Sequence, residues 1–217
     1  MLVERSMHPD YLSNAYLVAS EEGGKAVFVD SGAPLEPLRQ AIDRWRVEPV
    51  AILRTHSHGD HVEHESELRL PVHTDAFEVD GLQVEAYPTP GHSDDMVAFV
   101  VNGEVVFTGD TLFKDSVGGG DFARVRSSVM EVLFGLPHEL RVLPGHTDET
   151  TLAREWEHNP FVLVWRGAEP EGTEACTVGG DDATLIVWSP DYDGSGKAWV
   201  RFADGRDAIV GGSRVTR

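Results

Sequence analysis

Thr55-His56-Ser57-His58-Gly59-Asp60-His61 places three imidazoles and one carboxylate within six residues, from His56 to His61. Imidazole and carboxylate together suit zinc and related first-row divalent ions. His56 and His58 alternate along an extended segment, so their rings project to the same side and can grip one ion. Asp60 and His61 follow as the chain turns towards a helix, placed to face a second ion alongside. Three later segments share this make-up: Thr89-Pro90-Gly91-His92-Ser93, Thr108-Gly109-Asp110-Thr111 and Pro144-Gly145-His146-Thr147. Each sets one His or Asp beside a glycine, which permits a tight turn and close backbone approach. The single cysteine, Cys176, rules out an intramolecular disulfide and leaves nitrogen and oxygen as the metal donors. With no basic neighbours to activate it, Cys176 reads as a small, partly buried residue near a domain junction.

These segments are far apart in sequence, so strands must bring them together. Residues 15–19 and 26–30 are short apolar strands joined by Glu21-Glu22-Gly23-Gly24, which makes a hairpin. Pro34 opens a helix to about Trp45, with Leu35, Leu38, Ile42 and Trp45 at helical spacing. Residues 50–53 read as a buried strand that ends just before the His-rich motif, and 62–69 as a short polar helix. Further strands are expected at 71–74, 82–87, 96–101 and 104–108, the last two turning at Asn102-Gly103. An amphipathic helix over 123–135, a strand at 140–143 and a helix at 149–158 complete this part. Each candidate ligand therefore lies in a loop just past a strand, where a rigid scaffold can hold it.

The composition changes near Gly167. Residues 168–180, rich in Gly, Glu and Thr, read as a connecting loop. Strands at 183–188, 197–202, 207–210 and 213–216 follow, with Trp188 and Trp199 as core. The division is a catalytic domain over 1–167 and a small C-terminal β module over 168–217, SH3-like in its short strands. A module of about 40 ordered residues sits near the lower size limit for independent stability, so it should pack on the main domain. Asp191-Tyr192-Asp193-Gly194 lacks the remaining ligands of a calcium loop and reads as a hairpin turn. Gly118-Gly119-Gly120 reads as a permissive loop. His8, His64, His73, His138 and His158 lie outside the ligand pattern and are expected as surface or ordinary polar residues.

His-x-His-x-Asp-His followed by a separate His, Asp and His resembles the metallo-β-lactamase superfamily. The contexts Thr89-Pro90-Gly91-His92-Ser93, Gly109-Asp110-Thr111-Leu112-Phe113 and Pro144-Gly145-His146 are most similar to its glyoxalase II-like, or hydroxyacylglutathione hydrolase-like, branch. The resemblance covers roughly residues 10–166. It implies an α/β fold, a four-layer αβ/βα sandwich with the metals between the edges of two sheets. It also implies that His56, His58 and His92 hold one ion, that Asp60, His61 and His146 hold a second, and that Asp110 bridges both. Zn²⁺ is the expected pair of ions, with Fe²⁺ and Mn²⁺ compatible with the same donors. Two such ions lower the pKa of a bridging water and supply a hydroxide nucleophile at neutral pH. Asp60 and Asp110 are the candidate catalytic carboxylates, and Phe113 and Lys114 are candidate substrate contacts; Lys114, Arg124 and Arg126 are cations with two open readings, meeting an anionic substrate group or lying on a helix surface.

The reaction implied is hydrolysis of a small acyl thioester or ester. Two alternatives stay open: a persulfide dioxygenase using one iron on two His and one Asp, and a non-catalytic metal-binding protein whose β module recruits a partner. The dioxygenases carry a Cys-Gly-Arg segment after the bridging Asp, replaced here by Ser116-Val117-Gly118-Gly119-Gly120-Asp121-Phe122. Flavodiiron-type oxidoreductases have Glu where His58 stands, and lactamases usually lack the carboxylate that Asp110 supplies. Glutathione-thioester hydrolases end in a helical domain with basic residues, unlike this C-terminal module. A small-molecule substrate is the expected partner. The net charge of −19, from 37 acidic and 18 basic side chains, repels phosphate backbones and argues against nucleic acid. No apolar run reaches the roughly 20 residues of a membrane span, and the N-terminus lacks the form of a signal peptide. A cytoplasmic protein is expected, with the exposed strands of the β module available for a homodimer.

Overall fold

Alternating burial along the strands sorts this chain into facing sheets. In the computed structural model, which describes residues 1–217, β1 (Leu2–Met7), β2 (Asn14–Ala19), β3 (Lys25–Val29), β4 (Glu48–Leu53) and β5 (Val72–His73) form the first sheet in that order. The first three pair antiparallel, whereas β4 lies parallel to both β3 and β5. The crossover from β3 to β4 is α1 (Glu36–Trp45), whose acidic first turn and basic last turn match the helix dipole. Ala15, Leu17 and Ala19 of β2 pack with Leu38, Ala41 and Trp45 of α1. Tyr16 and Val18, on the opposite face, join the core between the two sheets.

Two short helices, α2 (Gly59–Val62) and α3 (Glu65–Leu68), replace the single helix expected over 62–69, so the His-rich motif itself turns into helix. The second sheet has the order β13-β12-β9-β8-β7-β6, from β6 (Phe77–Val79), β7 (Leu82–Pro88), β8 (Val97–Val101), β9 (Val105–Gly109), β12 (Arg141–Pro144) and β13 (Thr150–Thr151). A separate small hairpin, β10 (Leu112–Phe113) and β11 (Ser116–Val117), lies between β9 and β12 in the chain. Val97, Phe99 and Val101 face the first sheet, while Ala98 and Val100 face a helical layer. That layer contains α4 (Phe122–Ser127), α5 (Leu152–His158) and α6 (Pro160–Trp165). The four-layer αβ/βα arrangement expected from the sequence is present.

The helix expected over 123–135 changes pitch twice, passing through a π turn at Ser128–Val132 and a 3₁₀ turn at Leu133–Gly135. Val125, Val129 and Leu133 nevertheless stay buried on one side. α6 has no counterpart among the sequence expectations. Its run Phe161-Val162-Leu163-Val164-Trp165 suits a buried strand, but Pro160 fixes the first helical turn and the Asn159 side chain accepts from Phe161 and Val162.

A third, antiparallel sheet has the order β17-β16-β15-β14-β18, from β14 (Glu174–Val178), β15 (Asp181–Ser189), β16 (Lys197–Phe202), β17 (Asp207–Gly211) and β18 (Val215–Thr216). β14 corrects the loop expected over 168–180: only Cys176 and Val178 of this strand are buried, so its apolar alternation is too short to read. Trp188 is likewise corrected, being 38% exposed with Arg217 over its ring, while Trp199 is buried as expected. A register shift between Leu185 and Val187 lets both Ile186 and Val187 join the main core. With Trp199 and Ile209 they share one 19-residue cluster with the helical layer, and Ile209 bridges Gly120 backbone to backbone. A side chain at Gly120 would collide with the Gly91 carbonyl oxygen at 2.1 Å, so this glycine is a packing requirement rather than a permissive loop residue. No helix is long and apolar enough to cross a membrane.

Because Trp199 belongs to that shared cluster, Trp199→Ala should cost about 3–5 kcal/mol and lower the midpoint of one common unfolding transition. Denaturant melts followed by circular dichroism and by fluorescence test this; an early transition confined to the third sheet would show that it does not share the core.

Candidate metal centre

The site forms where the C-terminal ends of parallel strands meet. β3 delivers Asp30 and β4 delivers Thr55, and Asp30 adopts a left-handed backbone with φ of +55°. Asp30 Oδ1 accepts from the Thr55 backbone N–H at 2.8 Å, and Oδ2 accepts from Thr55 Oγ1 and His61 Nδ1, each also at 2.8 Å. With its proton given to Asp30, Thr55 Oγ1 is left to accept from His56 Nδ1 at 3.0 Å. His92 Nδ1 donates to the Gly119 carbonyl at 3.0 Å. In all three rings, Nδ1 is engaged by the scaffold and Nε2 is turned away from it. Second partners of this kind fix the tautomer and orientation of metal-binding imidazoles.

Two clusters result. His58 Nδ1 lies 3.1 Å from His56 Nε2 and 3.0 Å from His92 Nε2. Beside them, Asp60 Oδ2 lies 3.6 Å from His61 Nε2 and 3.7 Å from His146 Nε2. Asp110 joins the clusters, with Oδ1 3.5 Å from His61 Nε2 and Oδ2 3.5 Å from His92 and 3.3 Å from His146. The structure thus brings together all seven side chains singled out in the sequence. Gly145 is what allows it, since a Cβ there would stand 2.2 Å from Asp110 Oδ1. Asp30, His56 and His61 also lie close enough to form a donor group. Both Asp30 oxygens, however, already accept hydrogen bonds, which makes Asp30 a scaffold residue.

Burial pushes His56 down to about 4, against the opposing pull of Asp110, and lowers His92 for the same reasons. Burial also disfavours charge on His61, but Asp110, Asp30 and Asp60 outweigh it and raise the ring to about 9. The desolvated Asp110 is nonetheless held far below the usual carboxylate range by His61, His146 and His56. His61 Nε2, Asp110 Oδ1 and His146 Nδ1 are buried without a hydrogen-bond partner. Leaving such atoms unpaired costs about 1–3 kcal/mol each. The first two face one another across 3.5 Å among further lone-pair donors, an arrangement that fits a divalent cation.

The other candidates are placed differently. The Phe113 ring meets His146 edge-on with centroids 5.7 Å apart. Lys114 meets the residue after that histidine, its backbone N–H donating to Thr147 Oγ1 at 3.4 Å. Arg124 is paired with Asp94 at 2.5 Å and Arg126 is exposed; neither lines the cluster. His64, His73, His138 and His158 stand outside the donor groups, and His8 lines a cavity at the mouth beside Asp60. Sequence reasoning missed two residues. Asp30 had a signal, because Val29-Asp30-Ser31-Gly32 repeats the pattern of an acid past a strand near a glycine. Tyr192, which stacks on His146 at 4.0 Å and 11°, had none, since it arrives from the third sheet.

A model of the metallo-β-lactamase superfamily matches residues 8–62 and 65–146. A probable metallo-hydrolase of Bacillus subtilis, YqgX, is 29% identical over 196 aligned positions, covering 69% of this chain and 92% of the relative. Hydroxyacylglutathione hydrolase GloC of Haemophilus influenzae is 27% identical over 199 positions, covering 70% and 93%. Among solved structures, TTHA1623 in a di-iron-bound form is 32% identical with a TM-score of 0.61, covering 73% of this chain and 99% of that one.

Since Asp30 sets two of the rings, Asp30→Asn should weaken metal binding about 10–100-fold while the donors themselves remain. Competition between the protein and a chromophoric zinc chelator measures this, and an unchanged affinity would remove Asp30 from its positioning role.

Proposed function

The chain belongs to the metallo-β-lactamase superfamily, and on that premise we propose that it is a metal-dependent hydrolase of small acyl thioesters or esters. The observation that carries this reading is the sharing of Asp110 between two clusters, within 3.5 Å of His61 and His92 and 3.3 Å of His146. His56, His58 and His92 would hold one ion, Asp60, His61 and His146 a second, and Asp110 both. The similar protein solved in a di-iron-bound form supports a count of two. Zn²⁺ is the ion of first choice for these donors, with Fe²⁺ and Mn²⁺ suited to the same set. Such ions lower the pKa of water and polarise a carbonyl oxygen.

The chain's own residues supply the rest. Asp30, Thr55 and Gly119 fix ring orientations, so the donors need little reorganisation. Asp110 is too enclosed to exchange protons with solvent, its side chain being 8% exposed, whereas Asp60 is 24% exposed at the mouth. We assign Asp60 the task of orienting the attacking water and accepting its proton. A thiol with a pKa near ~8.5 leaves as a thiolate without a proton donor, whereas an alkoxide does not. That difference makes thioesters the less demanding substrates, while an ester's alkoxide would draw on the proton taken up by Asp60. The name of one relative, hydroxyacylglutathione hydrolase GloC, supports the thioester class, and that of YqgX, a probable metallo-hydrolase, supports hydrolysis.

Metal-replete protein should hydrolyse members of a thioester panel, lose turnover on chelation and regain it with Zn²⁺. His58→Ala and Asp110→Ala should each lower kcat/KM at least about 10³-fold, with circular dichroism confirming that the fold persists. Failure on thioesters and esters together with oxygen uptake on glutathione persulfide would replace the hydrolase with the dioxygenase.

A further inference from the structure

The geometry points to a subsite beside the metal cluster, walled by the third sheet through Tyr192 and by Lys114, that takes a carboxylate-bearing arm of the substrate. Its use in turnover rests on the hydrolase reading; its existence as a binding site does not. Tyr192 stands in the turn between β15 and β16 and lays its ring on His146, with Phe113 edge-on at 6.1 Å. The turn is internally braced. Asp191 holds Lys197 at 2.8 Å, Gly194 N–H donates to the Asp191 carbonyl at 3.1 Å, and Ser195 N–H donates to Asp193 at 2.8 Å. At its base, Ser189 Oγ donates to Ser116 Oγ at 3.2 Å, tying the turn to the hairpin that follows Asp110. Tyr192 is thereby held in place as a wall.

Next to this wall lies a cavity of about 320 Å³, near the small end of ligand-binding pockets. Met7 and Leu12 give it an apolar side, Thr147 lines it next to His146 in sequence, and Tyr192, stacked on His146, stands between it and the metal cluster. Met7 is 46% exposed, one of only four large apolar side chains so placed. The polar end is Lys114. Of the three lysines, Lys25 pairs with Glu48 and Lys197 with Asp191, whereas Lys114 makes no ion pair and its ammonium no hydrogen bond. The cavity's acids are already engaged, Asp115 by Arg154 at 2.7 Å and Asp148 by Arg5 at 3.1 Å. A half-buried cation without a partner, in a protein of net charge −19, selects an anionic group from the substrate. One lysine among acids matches a monoanion such as a carboxylate better than a phosphate dianion.

Tyr192 comes from the part of the chain beyond the family-model match, whereas Lys114 lies within it. The family model ends at residue 146, and the 32%-identical structure is covered almost completely by 73% of this chain. Tyr192 and Lys114 touch no reacting atom in this arrangement; they choose and place the substrate.

The test uses the full, metal-replete chain and non-hydrolysable thioether analogues of a thioester in isothermal titration calorimetry. One analogue carries a carboxylate on the acyl half, one carries it on the thiol half, and one is neutral throughout. The wild type should prefer one of the two carboxylates, which identifies the arm. Lys114→Met should weaken that analogue at least about 10-fold more than the neutral one, and Lys114→Arg should restore most of the difference. Tyr192→Ala should weaken charged and neutral analogues alike, while Tyr192→Phe keeps the stacking wall and both affinities. Equal losses for charged and neutral analogues in Lys114→Met, or no preference in the wild type, overturns the subsite. A charge preference that depends on Lys114 without thioester turnover would sink the hydrolase and keep the subsite. Turnover blind to both charge and Lys114 would do the reverse.

Discussion

The buried Asp30 carboxylate sets the metal centre, because both of its oxygens accept hydrogen bonds from the segment that carries the donors. It accepts from the Thr55 backbone, the Thr55 hydroxyl and His61. Three donors satisfy a buried carboxylate that would otherwise carry a desolvation penalty. Committing the Thr55 proton leaves that oxygen to accept from His56, so one acid fixes two imidazole rings. The parallel pairing of Val29 with Leu53 makes this possible, since it ends β3 and β4 at the same edge. The positive φ at Asp30 is a local strain of roughly 1 kcal/mol or more, tolerable because the hydrogen bonds over-determine the residue.

Charge follows the same logic at a larger scale. Asp60 and Asp110 stand among imidazoles whose protonation they favour, as the raised His61 shows. A divalent ion and these protons therefore compete for the same lone pairs, and metal uptake is linked to proton release. The overall acidity attracts cations towards the site and repels anionic substrates. Against that background a single unpaired lysine at the mouth carries more selectivity than it would on a neutral surface.

Much of the site is legible in the sequence because each of its seven side chains sits in a short segment with its own pattern. His56 to His61 are contiguous, and His92, Asp110 and His146 each lie beside a glycine past a strand. The strands of the first two sheets are equally legible, since both faces of β2, β8 and β9 are apolar and buried. Legibility fails where a role depends on a distant partner. Asp30 lies 25 residues from Thr55, and nothing local says that its oxygens point there. β14 carries too little apolar alternation to stand out, and its pairing with β15 and β18 makes it a strand. Trp188 reads as core from its type alone; its outward orientation is set by the register of the third sheet. Tyr192 is the extreme case, a turn residue whose neighbour His146 is 46 positions earlier in the chain.

That separation has a structural consequence. The donors depend on the edges of the first two sheets, whereas the wall depends on how the third sheet seats on the helical layer. The seating is fixed by Trp199, Ile186, Val187 and Ile209 in the shared core, and by the backbone bridge from Ile209 to Gly120. Gly119, adjacent to that bridge, is the residue that holds His92. The third sheet therefore reaches the metal cluster from two directions, through Tyr192 on His146 and through the 118–120 loop on His92. Close-packed interiors transmit displacement rather than absorb it, so a shift of this sheet moves a wall and a ligand support together. Substrate choice and metal geometry are built by different strands, yet they are coupled through the core those strands share.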